Sequence, residues 1–392
     1  MEALYAEVFP TAVIRSTSTF ERLGGDSLTF VEASLGLEQF IGRLPANWPE
    51  LTVQQLQARV HGAPQGAARR WAVVESAIVL RALAMFGIVA GHFDLIRHAG
   101  GAYFLLVAAG FSFSRFQLTQ VLRTASVRPI LTGAAKVAVP ALLMLWAMSF
   151  MNGNYVPLQL VLLGNWAIPG KLNFGYWFVE VLPQVLLLVA AGLWFAPLRR
   201  VVKKTPYNSS VAFVVGALAL SHAAQWLWTA DHLYNRVPHM LLWLFALGWL
   251  VHRSEDTQQR LLTTAIVVVA PLLDAQPGPF DNFLASGMPW VWVGGVVLLW
   301  MPTLRLPRLT SALTHRVAGA SLFIFLLHYS GRSLLHRMGL DIHPALDVAA
   351  GIAIGIGGWV LWERGTRWMA STLASIRPGW KTTVVNTVVT QW

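Results

Sequence analysis

Residues 80–92 read Leu80-Arg81-Ala82-Leu83-Ala84-Met85-Phe86-Gly87-Ile88-Val89-Ala90-Gly91-His92. They belong to an apolar run at about 72–93, close to the roughly 20 residues that cross a bilayer as a helix. Ionisable groups in such a run cost about several kcal/mol and mark a polar cavity or pathway. On a helix, the ten residues between Arg81 and His92 put the two about three turns, ~16 Å, apart on nearly the same face. Imidazole titrates near neutrality, which makes His92 the candidate general base.

Further apolar runs follow at roughly 99–118, 129–150, 175–197, 209–229, 237–252, 260–275, 284–302, 317–335 and 344–363. With 55% apolar residues, 18 tryptophans and 12% charged residues in a chain of 392, this is not soluble-protein composition, where about a quarter of residues are charged. An eleventh run, 156–168, is read as re-entrant or interfacial, because every dense basic cluster then shares one side. Eighteen basic residues fall inside, against Arg97, Lys171, Arg236, Arg332 and Arg337 outside. The expectation is ten spans in a cell inner membrane with both termini cytoplasmic. Most tryptophans near span ends, among them Trp166, Trp177 and Trp290, read as interfacial anchors.

The first sixty residues differ in kind. They are mixed polar and apolar, do not read as a cleavable signal peptide, and carry seven acidic and four basic side chains, so the net +11 of the chain leaves about +14 on the rest. That charge sits in short gaps between apolar runs, which argues for cytoplasmic retention and against nucleic acid as a partner. There are no cysteines, which excludes disulfides, thiolate metal sites and a cysteine nucleophile, and no histidine spacing argues for a metal. Residues 61–70, small and ending in Arg69 and Arg70, read as a linker. The segment after 370 reads as a cytoplasmic tail.

Phe20-Glu21-Arg22-Leu23-Gly24-Gly25-Asp26-Ser27-Leu28 places a serine behind a glycine pair and an aspartate, at a helix start where free backbone N–H groups favour a phosphodiester. With Leu4–Phe9, Leu44-Pro45 and Leu51–Leu56, this stretch resembles acyl and peptidyl carrier proteins over residues 1–60. The resemblance implies that Ser27 carries 4'-phosphopantetheine, with Gly25 and Asp26 part of the attachment site. It also implies two partners, a phosphopantetheinyl transferase and an acyl-loading ligase or synthetase.

The Arg81 to His92 spacing resembles the first-helix motif of acyltransferase family 3, which acylates hydroxyls or amines. Gly100-Gly101-Ala102-Tyr103-Phe104 with Ala109-Gly110-Phe111-Ser112, then Tyr176-Trp177-Phe178-Val179-Glu180, then Ser321 to Tyr329 around His328, follow in the family's order from about 75 to 368. The resemblance implies catalytic roles for His92, Glu180, Arg81 and His328, with Glu180 as a partner of the imidazole. Asp94 is a weaker candidate. The family's third-helix arginines are represented here only by Lys136, which turns the expectation from free acyl-CoA towards the fused carrier as donor.

The reading is an all-α chain: a carrier domain at 1–60, a linker at 61–70, a polytopic acyltransferase domain of about ten helices at 71–370 and a tail at 371–392. It moves an acyl group from the carrier thioester to a lipid, glycan or peptide acceptor in the bilayer. The alternatives are a related enzyme using acyl-CoA with a regulatory carrier, and a transporter or flippase of the carrier-linked product.

Overall fold

The computed structural model describes the chain except residues 10, 11, 26, 42, 43, 46, 62–70, 97–100, 153–156, 167–175, 228–235, 275–286, 341, 342 and 377–392. It is mostly helical. In chain order the elements are α1 (Glu2–Val8), α2 (Ser27–Ile41), α3 (Val53–His61), β1 (Trp71–Glu75), α4 (Ser76–His92), α5 (Gly101–Ser112) and α6 (Leu118–Thr124). They continue with α7 (Arg128–Asn152), α8 (Trp177–Trp194), α9 (Ala196–Lys204), α10 (Pro206–Leu227), α11 (Pro238–Arg253) and α12 (Thr257–Asp274). The last are α13 (Met288–Trp300), β2 (Thr303–Pro307), α14 (Arg308–Gly319), α15 (Ser321–Arg337) and α16 (Pro344–Ile376). Two compact units result: Met1–Ala82 with Thr303–Asp341 and Ala349–Trp392, and Leu83–Pro302 with Ile342–Val348.

In the first unit, α1 to α3 enclose an aromatic core. Phe20 sits edge-on to Phe9, Phe30 and Trp48 at 5.4, 5.8 and 5.0 Å between ring centroids, and Phe30 stacks on Trp48 at 4.9 Å. Such pairs contribute about 0.5–1.5 kcal/mol each beyond area burial. The start of α3 is fixed by a reciprocal cap, with the Thr52 N–H donating to Gln55 Oε1 and the Gln55 N–H to Thr52 Oγ1 at 2.9 and 3.2 Å, which satisfies two N–H groups that the helix leaves open. Segments 71–75 and 303–307 pair as a two-stranded antiparallel sheet, Trp71 opposite Pro307 and Glu75 opposite Thr303. The all-α expectation gains this exception because Ala72-Val73-Val74 and Leu304-Arg305-Leu306 are short segments of strand-forming or alternating character, each giving way directly to a helix. Helix α14 packs on α2 and turns by 87° into α15.

In the second unit, α5 and α11 run side by side through two glycines. A methyl on Gly110 would fall on the carbonyl oxygen of Phe245, and one on Gly248 on that of Val107. Helix α10 lies along α11, α8 along α7, and α13 against α5 and α12. Gly101 brings α5 onto the backbone of α4 at Ala84.

Each of the ten apolar runs contains a helix. Among the described residues, four helices, α7, α8, α10 and α16, are long and apolar enough to cross a membrane, or five if the bent pair α14 and α15 counts as one span. These helices present apolar side chains outward, Trp146 57% exposed, Phe150 77% and Leu361 70%, as lipid contact requires and water does not favour. The 156–168 run is not a long helix: its described part makes two short 3₁₀ turns, Gln159–Val161 and Gly164–Trp166.

Two outcomes follow from this packing. Gly248→Ala sets a methyl against backbone that cannot rotate away, and it should destabilise the detergent-purified protein by about 1–3 kcal/mol. Gly216→Ala, with nothing within 4 Å, should be neutral or stabilise by up to about 1 kcal/mol; equal melting temperatures for the two variants would disprove the close crossing. Burial, reinforced by the neighbouring Glu75 charge, holds the Glu38 carboxyl up at about 7 rather than 4.5. The folded chain therefore binds this proton more tightly than the unfolded one, and stability should fall as pH rises from 4.5 to about 7. Thermal unfolding across that window should lose the Glu38 share of its slope in Glu38→Gln.

Candidate functional site

One group of polar side chains in the second unit gathers where α5, α8 and α11 begin and α4 ends. His92 closes α4, half-buried, and the charge of Arg236, two residues before α11, acts on it. The same guanidinium hydrogen-bonds the Tyr103 hydroxyl on α5 and lies over the ring of Trp177, 5.5 Å from its centroid. Tyr103 and Trp177 are themselves in ring contact at 5.6 Å. A cation held over an indole face is stabilised by the ring quadrupole, increasingly so away from water.

Behind this group, the 3₁₀ turns at 159–166 are held to α8 by amides. Asn165 Nδ2 donates to Gln184 Oε1 at 3.3 Å and Gln184 Nε2 donates to Asn165 Oδ1 at 2.9 Å. Gln184 also donates to the Leu162 carbonyl at 2.6 Å and accepts from Trp166 Nε1 at 2.9 Å. Asn165 reaches the Arg236 carbonyl at 3.2 Å. Glu180, 2% exposed, accepts hydrogen bonds from the backbone N–H groups of Asn165 and Gly164. Asn165 thus links Glu180 to the backbone of Arg236, whose charge also acts on His92. The interactions described here give Glu180 backbone amides as partners, where the sequence pattern suggested the imidazole.

Arg81 and His328 belong to the first unit. Arg81 shares the continuous helix α4 with His92. His328 is fully buried on α15, its Nδ1 2.8 Å from the Phe325 carbonyl and 3.1 Å from that of Ile324. Carbonyls only accept, so Nδ1 carries the proton, and the ring rests against Tyr329 at 4.2 Å. Asp94 is exposed in a left-handed turn after α4. In the N-terminal module Ser27 is the first residue of α2; Asp26 and the Ser27 side chain lie outside the described residues. Gly24 has φ +84°, and a methyl on Gly25 would fall on the Phe20 ring, so both glycines have conformational or packing reasons. Among the described residues, no group of three His, Cys, Asp or Glu side chains is arranged to hold a metal ion.

Sequence reasoning passed over Arg236 as an outside loop charge, and Asn165 and Gln184 altogether. The available signal was two amides inside otherwise apolar runs. Trp177, expected as an interfacial anchor, is buried beneath Arg236. No protein-family model, curated protein or solved structure matches the chain.

Gln184→Met removes four hydrogen bonds at once and leaves the Asn165 amide without its side-chain partner. It should cost about 1–3 kcal/mol and speed proteolytic cleavage within 157–166, which digestion followed by mass spectrometry would locate.

Proposed function

We propose that this chain is a multi-pass membrane acyltransferase whose N-terminal module carries the acyl group as a thioester of 4'-phosphopantetheine on Ser27. The helical domain transfers it to a hydroxyl or amine of a lipid, glycan or peptide. The observation that carries this reading is the cluster of His92, Arg236, Tyr103 and Trp177, with Glu180 behind it, in a unit otherwise built of apolar helices. Intramembrane ionisable groups are retained for function by default, and a base beside two hydrogen-bond donors is what acyl transfer needs.

In this mechanism His92 takes the proton of the acceptor hydroxyl as its oxygen attacks the thioester carbonyl. The oxyanion that forms is held by the Arg236 guanidinium and the Tyr103 hydroxyl. Collapse breaks the carbon–sulfur bond, and the departing thiolate recovers the proton from the imidazolium, so base and thiol both end in their starting forms. Glu180 fixes the 159–166 turns that support Arg236 from below. Arg81 serves the donor arm at the other end of α4, and His328 packs α15 for the same domain. The ten-span arrangement with cytoplasmic termini suits this scheme, since the arm is installed and loaded by cytosolic enzymes. It is supported by the one-sided basic clusters and by a helix in each apolar run.

Incubation with a phosphopantetheinyl transferase and coenzyme A should add one phosphopantetheine, seen by intact mass and absent in Ser27→Ala. His92→Ala should load normally yet transfer about 10²–10⁴-fold more slowly. Full transfer activity in Ser27→Ala with free acyl-CoA would sink the carrier as donor, and unchanged transfer in His92→Ala would sink the base.

A further inference from the structure

Asp274 closes α12 after a stretch, 261–273, that carries no charge, and the acyl-transfer steps make no use of it. Its position gains nothing from the helix itself, because the C-terminal end of a helix favours cations and disfavours carboxylates. The groups around it come from two neighbouring helices. The Ser221 hydroxyl, fully buried on α10, donates to Asp274 Oδ1 at 3.3 Å. Gln225 Nε2, one turn further along α10, donates to Ser221 Oγ at 3.4 Å, and the Met240 sulfur of α11 lies 3.9 Å from the same oxygen. Trp243, one turn beyond Met240, is fully buried; its indole stands close enough to act on the carboxylate, while Nε1 stops short of a formed hydrogen bond.

Amide and hydroxyl thus make a directed chain that ends on one carboxylate oxygen, and hydrogen bonds donated to a carboxylate favour its ionised form. An ionised carboxylate has room for about four hydrogen bonds, and Ser221 fills one. A charge held among apolar helices is costly without a cation beside it. Among the described residues no lysine or arginine forms an ion pair with Asp274, and the base whose charge acts on it is His222, exposed on α10. The half-buried carboxyl is therefore suited to a cation that arrives with a ligand. It also lies near the reacting groups. Met240 and Trp243 are four and seven residues beyond Arg236, ~6–10 Å along α11 at the rise of a helix, and the Asp274 charge acts on the Tyr103 hydroxyl that Arg236 bonds.

We propose that Asp274, with Ser221 and Trp243 around it, is an acceptor-recognition site for an organic ammonium group. The acceptor is then an amino alcohol whose ammonium rests on Asp274 while a hydroxyl several carbons away is the one His92 deprotonates. Calling this ligand the acceptor rests on the acyl-transfer reading; the cation site rests on the Asp274 cluster alone.

The test titrates the detergent-purified full chain with 6-aminohexan-1-ol, a cation at neutral pH, and with 1,6-hexanediol, which has a hydroxyl in place of the ammonium. Binding is followed by thermal shift and calorimetry. The amino alcohol should raise the melting temperature and the diol should not. Asp274→Asn keeps an oxygen for Ser221 to bond and removes the charge, and it should weaken amino-alcohol binding about tenfold or more. An equal response to the two compounds, or none to either, overturns the proposal on the unmodified protein, whether or not the variant folds. An ammonium preference retained in folded Asp274→Asn overturns it too. Sodium chloride against potassium chloride supplies a further arm: stabilisation by sodium that is lost in Asp274→Asn, with no preference for the amino alcohol, assigns the cluster to an inorganic cation and removes the acceptor site. An ammonium preference at Asp274 in a protein that transfers no acyl group would sink the acyltransferase reading and leave the cation site standing. Acyl transfer by a protein indifferent to the ammonium would do the reverse.

Discussion

The close crossing of α5 and α11 is the contact on which the second unit depends. Gly110 and Gly248 face the carbonyls of Phe245 and Val107, backbone on backbone, where any side chain would force the helices apart. Helices surrounded by lipid gain little from burying apolar surface against one another, so close van der Waals contact and interhelical hydrogen bonds decide which pairs associate. This pair uses both. Between its ends it is dry and tight; at one end Arg236 bonds Tyr103, and at the other Arg253 and His252 meet Ser114. Two polar clusters are thereby held at a separation set by the rise of one helix, and neither can shift far without breaking the contact between them.

The polar groups of the candidate site are linked in a short chain of contacts. The 159–166 turns are non-helical backbone covered through Gln184, whose amide serves Leu162, Asn165 and Trp166 together. The free N–H groups of Gly164 and Asn165 in turn meet the carboxylate of Glu180. The turns and the buried acid meet in these bonds, while Glu180 Oε1 is left without a hydrogen-bond partner. Glu180 accordingly reads as the residue that fixes the floor under Arg236, one step removed from the imidazole.

Much of this was legible in the sequence, and the parts that were not share a cause. Apolar runs located the helices because a run long enough to span has few other stable conformations. The glycine pair and Asp26 ahead of Ser27 marked the start of α2 through a local pattern. What escaped were features that depend on a partner distant in the chain. β1 exists because Trp71–Glu75 meets Thr303–Pro307; neither segment alone distinguishes a strand from the first turn of a helix. The 87° bend between α14 and α15 falls inside the start of the run read at 317–335. Arg236 counted as a loop charge until Trp177 and Tyr103, 59 and 133 residues earlier, were found around its guanidinium.

The docking of the N-terminal module shows which force wins at its surface. Its net charge of −3 stands beside a basic remainder, and opposite charges attract. The structure contains such a pair, Arg367 to Glu7 at 3.0 Å, with side chains 40% and 59% exposed, and exposed pairs of this kind are worth about 0–1 kcal/mol. Where α2 meets α14, one like-charge pair opposes docking, since Glu38 and Glu75 repel. Helix α2 nevertheless lies on α14. Packing therefore holds the module while the Glu38–Glu75 repulsion works against it, so raising the salt concentration should loosen the Glu7 contact far more than the seat of α2.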